Sequence, residues 1–255
     1  MPILVVSMKT KTGNRSLEAL SLLIEGNRRF MAGLRSVDGT PSPARLRELA
    51  RNGQRPFCLV LSCSDSRVPA EIVFDRGLGD LFLVRVAGNT VGEEMIASLE
   101  FAATGFETPL LVVMGHTGCG AIQAAVDAHR KGKDAQFASP FLKHLIGHIQ
   151  PAVEACAHDS HLHAHGDDHL NQVTWANVDN SIDVLMKSSQ VLAELVKQGK
   201  LMVFGSLFNL ETSQAEFRLD PEVSLQVEET IRHRLIASMT ALETSAAVPL
   251  RRATG

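Results

Sequence analysis

No run of apolar residues in this chain approaches the roughly 18 to 20 needed to cross a bilayer. The opening stretch MPILVVSMKTKTG has no basic lead and too little apolar length for a signal peptide. Both absences point to a cytoplasmic protein with no membrane association. Excess positive charge is missing as well: the formal net charge is −3 and the isoelectric point is near 6.4. That leaves no basic surface to attract nucleic acid or an anionic membrane. Cysteine is sparse, with four in 255 residues, too few for a disulfide scaffold. None forms a C-x-x-C pair, which argues against a thiol redox enzyme. In a reducing compartment such cysteines are more often buried, catalytic or metal-binding, so their positions matter. No internal repeat or linker divides the chain. What is present, 45% hydrophobic and 21% charged residues, suits one globular domain with a sizeable core.

Apolar spacing separates helices from strands. Residues 16–33 place Leu17, Leu20, Ile24 and Met31 on a helical face, with Ser16 as cap and Gly33 as stop. PARLRELARNG is a short helix ended by Gly53. PFCLVLSC, DLFLVRV and PLLVVMGH are continuous apolar runs, as expected of strands covered on both faces of a parallel sheet. Between the second and third lies VGEEMIASLEFAATG, helical by the spacing of Ile96, Leu99 and Ala103, with Glu93 and Glu94 at its start. That unit is a right-handed crossover. GAIQAAVDAHRKG reads as a helix, DNSIDVLMKSSQVLAELVKQG as one long helix, and KLMVFGSLFNL as a further strand. AEFRL follows a turn as an antiparallel edge, and Asp75 and Arg76 read as a local cap or pair. The expected fold is α/β, a single domain with a mostly parallel central sheet, flanking helices and an antiparallel edge strand. Within residues 1–255, a helical arm takes about 16–52, a catalytic core about 53–220 and a helical extension about 221–245.

Two stretches carry the chemistry, CSDSR from Cys63 and GHTGCG ending at Gly120. Each follows the carboxyl end of an expected strand, where open α/β sheets bind ligands. Cys63, His116 and Cys119 offer two thiolates and an imidazole, and Asp65 a carboxylate, donors that suit tetrahedral zinc. His116 and Cys119 lie three apart at a turn into a helix, whose N-terminus favours a thiolate at Cys119. Cys63 and Asp65 are two apart, which places them on one face of an extended segment. Two thiolates already neutralise Zn²⁺, so a fourth, carboxylate ligand is held weakly. Arg67 offers Asp65 a bidentate alternative. With Asp65 drawn to Arg67 the fourth position opens to water, the arrangement of a catalytic zinc, and Asp65 orients that water's hydrogen.

At these residues the chain resembles a beta-class carbonic anhydrase. The matching stretches are CSDSRVPAE, GDLFLVRVAGN and GHTGCGAI, with GNRRF upstream and GKLMVFGSLFNLETSQAEF downstream, over about residues 16–220. The resemblance implies one zinc per chain on Cys63, His116 and Cys119, with Asp65 either a ligand or the Arg67-held partner of zinc-bound hydroxide. It implies reversible hydration of carbon dioxide to bicarbonate and a proton by attack of that hydroxide. It also implies a homodimer or larger homo-oligomer with sites near the subunit interface. By the same resemblance Gln54 hydrogen-bonds substrate and the Gly120 N–H faces the carbon dioxide site. Val60 stands where bicarbonate-inhibited members carry tryptophan, and the chain has no tyrosine. A bicarbonate-locked state of that kind is therefore not expected, although Arg85 matches one of its residues. Hydrolysis of COS or CS₂ on the same scaffold, or a non-catalytic zinc-binding protein, are the alternatives.

The tract AHDSHLHAHGDDHL holds His158, His161, His163, His165 and His169 and reads as a solvated loop without a framework for a defined metal geometry. It and His129 are candidates for passing the product proton to solvent. Cys58, five residues before Cys63, is expected on the opposite side of its strand as a small core residue. Cys156 reads as a buried or free thiol in a helical stretch.

Overall fold

The apolar runs form a mixed sheet flanked by helices, and the computed structural model describes residues 11–36, 41–157 and 167–246. In chain order the elements are Lys11–Met31 (α1), Pro43–Asn52 (α2), Cys58–Ser62 (β1), Ala70–Val73 (α3), Leu81–Arg85 (β2), Glu93–Gly105 (α4) and Leu110–His116 (β3). Then come Gly120–Lys131 (α5), Pro140–Ala157 (α6), Asp167–Ser188 (α7), Gln190–Lys197 (α8), Met202–Phe208 (β4), Ala215–Phe217 (β5) and Pro221–Ala246 (α9). The five strands lie in the order β2-β1-β3-β4-β5. The pairs β2·β1, β1·β3 and β3·β4 are parallel, and β5 pairs antiparallel with β4, as expected for a single α/β domain.

Each strand's alternation feeds two cores. On β1, Cys58 and Val60 enter one cluster while Leu59 and Leu61 enter the other; on β3, Leu110, Val112 and Met114 oppose Leu111 and Val113. Both faces are apolar, so the period of two is hidden in the sequence. Each buried Val or Leu contributes about 1.5–3 kcal/mol relative to an exposed one. Helix α7 lies close against the sheet because β3 and β4 present glycines to it. A Cβ on Gly115 would sit 2.8 Å from Thr174 Cγ2, and one on Gly205 2.8 Å from Val178 Cγ1.

The structure departs from the sequence reading at several places. Helix α1 starts at Lys11, so Ser16 is no cap; it lies inside the helix and donates from Oγ to the Pro109 carbonyl at 2.8 Å. The single long helix expected from Asp179 is two. Helix α7 begins at Asp167, and the break falls at Ser189, whose Oγ accepts the Leu192 N–H at 3.0 Å and donates to Glu100 at 2.5 Å. Local capping and a partner on α4 there outcompete helix continuity. Most of α6 has no counterpart in the sequence reading, since Gly147 and Pro151 interrupt its helical signal. Asp75 does not pair locally but takes Arg29 Nε at 2.6 Å and the Ser36 N–H, while Arg76 donates to the Leu22 carbonyl. Together they dock α1 and the segment after it. Cys58 and Cys63 share one core cluster, because the chain leaves the strand after Ser62. Residues 1–10 and tract residues 158–166 lie outside the described residues, and His169 is on α7.

Candidate metal centre

Strands β1 and β3 are parallel neighbours with Ser62 paired to Met114, so the loops that follow them emerge side by side. One ligand atom from each of Cys63, His116 and Cys119 lies within 4.8 Å of the other two, and all three residues are buried. Among the described residues no other trio of such side chains meets this test. The Thr117 carbonyl lies 2.9 Å from His116 Nδ1, which makes Nδ1 the protonated nitrogen. That leaves Nε2 with its lone pair, buried and without a hydrogen-bond partner. An imidazole so oriented is a ready metal ligand.

The two thiols suit a cation. The hydrogen bond from Cys119 is the largest influence on Cys63; it outweighs burial and brings the Cys63 thiol down to about 4. The same pairing pushes Cys119 up, burial adding to it, while the N–H groups of Ala121 and Ile122 act in the opposite sense. The pair thus gives up one proton readily and holds the second against charge repulsion. A divalent cation removes that repulsion, so the donor set fits zinc.

Asp65 stands outside this trio. Its Oδ1 accepts the Arg67 backbone N–H and Nε–H, both at 2.9 Å, and its Oδ2 accepts Nη2–H at 2.7 Å. Arg67, chiefly by that side-chain hydrogen bond, holds the Asp65 carboxyl well below the usual carboxylate range. Of the two states open to Asp65 in the sequence, the structure contains the one paired with Arg67, because the guanidinium fork satisfies both oxygens. Arg67 Nη2 also reaches the Gly118 carbonyl at 3.3 Å, tying the first loop to the second.

Three supports escaped the sequence reading. Arg85 donates from Nε to the Cys63 carbonyl at 3.0 Å and from Nη2 to the Asp65 carbonyl at 2.6 Å, so it holds the loop backbone. The sequence named Arg85 only by resemblance; its position opposite Ser62 in the sheet register is what brings it to the loop. The Gly88 N–H donates to Cys63 Sγ at 3.4 Å from a left-handed turn, φ 67° at Gly88 and 45° at Asn89. Helix α7 holds that turn: Asn177 Nδ2 donates to the Gly88 carbonyl at 2.8 Å and Ser181 Oγ to the Asn89 carbonyl at 3.0 Å. No sequence signal marked Asn177 or Ser181.

The two substrate-binding candidates part company. Gly120 opens α5 directly after Cys119 and is exposed, and first-turn N–H groups have no acceptor within their helix. Gln54 is exposed before the amino end of β1, whereas Cys63 follows its carboxyl end. The five residues of β1 between them span about 16 Å at 3.3 Å each, so Gln54 does not reach the centre of its own chain.

Fold and site together define a protein class in which an α/β sheet presents a Cys₂His group at its strand ends beside an Asp–Arg pair. A family model described as carbonic anhydrase matches residues 58–215. Carbonic anhydrase 2 of Mycobacterium tuberculosis is 34% identical over 200 residues, covering 78% of this chain and 91% of that protein. The carbonic anhydrase of Mycolicibacterium smegmatis is 32% identical over 202 residues, covering 78% and 92%. The structure of the beta-carbonic anhydrase CcaA shares the fold at TM-score 0.60 and 22% identity, over 78% of this chain and 94% of that one. The chain belongs to the carbonic anhydrase family and is an enzyme, and its fold is that of beta-carbonic anhydrases.

Proposed function

We propose that the chain catalyses the reversible hydration of carbon dioxide to bicarbonate and a proton, with one zinc ion held by Cys63, His116 and Cys119. The observation that carries this reading is the three-ligand group with Asp65 turned away to Arg67, since catalytic zinc sites use three protein ligands. Zinc held there by Cys63, His116 and Cys119 would supply Lewis acidity and acidify a water. The protein's residues do the rest. Asp65 is ionised and acceptor-only, and Oδ2, which takes one hydrogen bond from Arg67, keeps a lone pair for a hydrogen of the reacting water. Arg67 aims that carboxylate, and Arg85 keeps the backbone on either side of Ser64 in place. The exposed Gly120 N–H is free to face the substrate oxygen.

We assign zinc, rather than another divalent ion, from the two sulfurs and one imidazole. We propose a homo-oligomer as the functional unit, in which Gln54 would serve the site of a second copy, since it stands a strand's length from the centre of its own chain. Two beta-carbonic anhydrases of the ascomycete Sordaria macrospora, which share this fold at TM-score 0.60 and 23% identity over 69% of this chain and 86% of theirs, are tetrameric. We place the chain in a reducing, cytoplasmic setting, because four cysteines in 255 residues are too few for a disulfide scaffold.

The test is stopped-flow carbon dioxide hydration on protein of known zinc content, at mildly alkaline pH. Asp65→Asn and Arg67→Ala are expected to keep one zinc per chain and to lose about 10²-fold in kcat, the cost of misplacing one reacting group. Wild-type protein that holds zinc yet hydrates nothing would overturn the reading and turn attention to COS and CS₂.

A further inference from the structure

Helix α6 carries a second pair of metal-capable side chains outside the centre described above. His144 and His148 are one turn apart, an interval that places both on one helical face. Their Nε2 atoms share a hydrogen bond at 3.2 Å, one ring donating to the other, with ring centroids separated by 4.7 Å and ring planes at 82°; an ion would take the place of the shared proton. Two nitrogens 3.2 Å apart, each at a zinc–nitrogen bond length of about 2.0–2.1 Å, subtend about 100° at the ion. That angle lies between those of cis-octahedral and tetrahedral sites, so the nitrogens already stand at a chelating separation.

The surroundings favour an ion at this place. His144 is exposed and His148 half-buried, so an ion reaches them from solvent. Burial, reinforced by His144, lowers the His148 pKa from its ordinary value, which favours the neutral imidazole that ligation requires. The backbone beneath the pair is fixed from α7, where Asn180 Nδ2 donates to the His148 carbonyl at 3.2 Å, and by the fully buried Ile149. The helix is also weakened here. Pro151 has no N–H to offer the Gly147 carbonyl, so the turn that follows the pair lacks one of its hydrogen bonds while the His144–His148 turn keeps its own.

We infer that His144 and His148 form a second metal site, which takes one borderline divalent ion such as Zn²⁺, Cu²⁺ or Ni²⁺ with water completing its coordination shell. Two imidazoles open to solvent on one side hold such an ion more weakly than two buried thiolates and an imidazole do. The second ion therefore exchanges while the first stays bound.

The histidine tract competes for the same ions, so the test starts from protein in which His158, His161, His163, His165 and His169 are replaced by Gln. With the first zinc in place, Zn²⁺ is titrated calorimetrically, and Cu²⁺ is followed by its electron paramagnetic resonance for coupling to two nitrogens. The expected result is one weaker ion per chain, with two-nitrogen coupling. His144→Ala and His148→Ala should each weaken it at least about tenfold, while the first zinc and carbon dioxide hydration stay at the level of the tract-substituted parent. Circular dichroism confirms that the variants are folded. Absence of the second ion from the tract-substituted protein, or its persistence when both histidines are alanine, overturns the inference.

Discussion

Asp65 and Asp75 show how one residue type does opposite work according to its neighbours. Asp65 is partly exposed and paired with an exposed Arg67, so the pair adds little to stability and is free to serve chemistry. Asp75 has a fully buried side chain, held by Arg29 at 2.6 Å and by the Ser36 N–H. Burial pushes its carboxyl pKa up, but Arg29 and Ser36 outweigh burial and leave it lowered. A carboxylate that ionises more readily folded than unfolded stabilises the fold fully above its unfolded value of about 3.9 and ceases to do so as pH falls through the lower folded value. Asp75→Asn is therefore expected to cost about 1–3 kcal/mol at neutral pH and progressively less as the solution is acidified below pH ~4. Asn tolerates the left-handed backbone at this residue, φ 45°, so the change isolates the charge. Urea denaturation of both proteins across pH checks it; a difference that is constant with pH would contradict the assignment.

The Gly88 turn and α7 form the next level of organisation. The close seat of α7 on Gly115 and Gly205 brings Asn177 to the turn, the turn aims an N–H at Cys63 Sγ, and the sulfur is thereby held toward its partners. Removing the amide leaves the buried Gly88 carbonyl without its donor, which costs about 1–3 kcal/mol. Asn177→Ala is expected to lower stability by that amount and to speed zinc release to a chelator. Asn177→Leu is the sharper test: it fills a similar volume but has no polar hydrogen to donate, so it should behave like Ala. If the leucine variant holds zinc as the wild type does, amide donation is not what steadies the turn. The break at Ser189 belongs to this level too, since its partner Glu100 lies on α4.

The molecule as a whole separates Gln54 from the metal centre by the length of β1. Complementation between copies tests whether they meet across an interface. Gln54→Ala and Cys63→Ser homo-oligomers should each be poorly active, the first in substrate handling and the second in metal content. Co-refolded, they should recover activity, because mixed assemblies contain subunits with an intact metal centre facing a partner with an intact glutamine. No recovery despite mixed assembly, shown by mass spectrometry, would remove Gln54 from the substrate site. Among the described residues no helix is long and apolar enough to cross a membrane.

Strands β1 to β4 and the three donors that the structure brings together, Cys63, His116 and Cys119, were legible from the chain alone, because each depends on local features. A doubly covered strand must be apolar at successive positions, and ligands at strand ends sit within a few residues of that signal. The seven-residue run of β3, for instance, leads directly into His116. Folding settled what local order does not encode. Asn177 meets Gly88 across 89 positions, Ser189 meets Glu100 across 89 and Ser181 meets Asn89 across 92. A polar residue on an amphipathic helix reads the same whether it faces water or a distant carbonyl, and packing alone distinguishes them. Asp65 makes the same point over two residues: its spacing allowed both metal and arginine, and only the folded loop shows its three hydrogen bonds to Arg67.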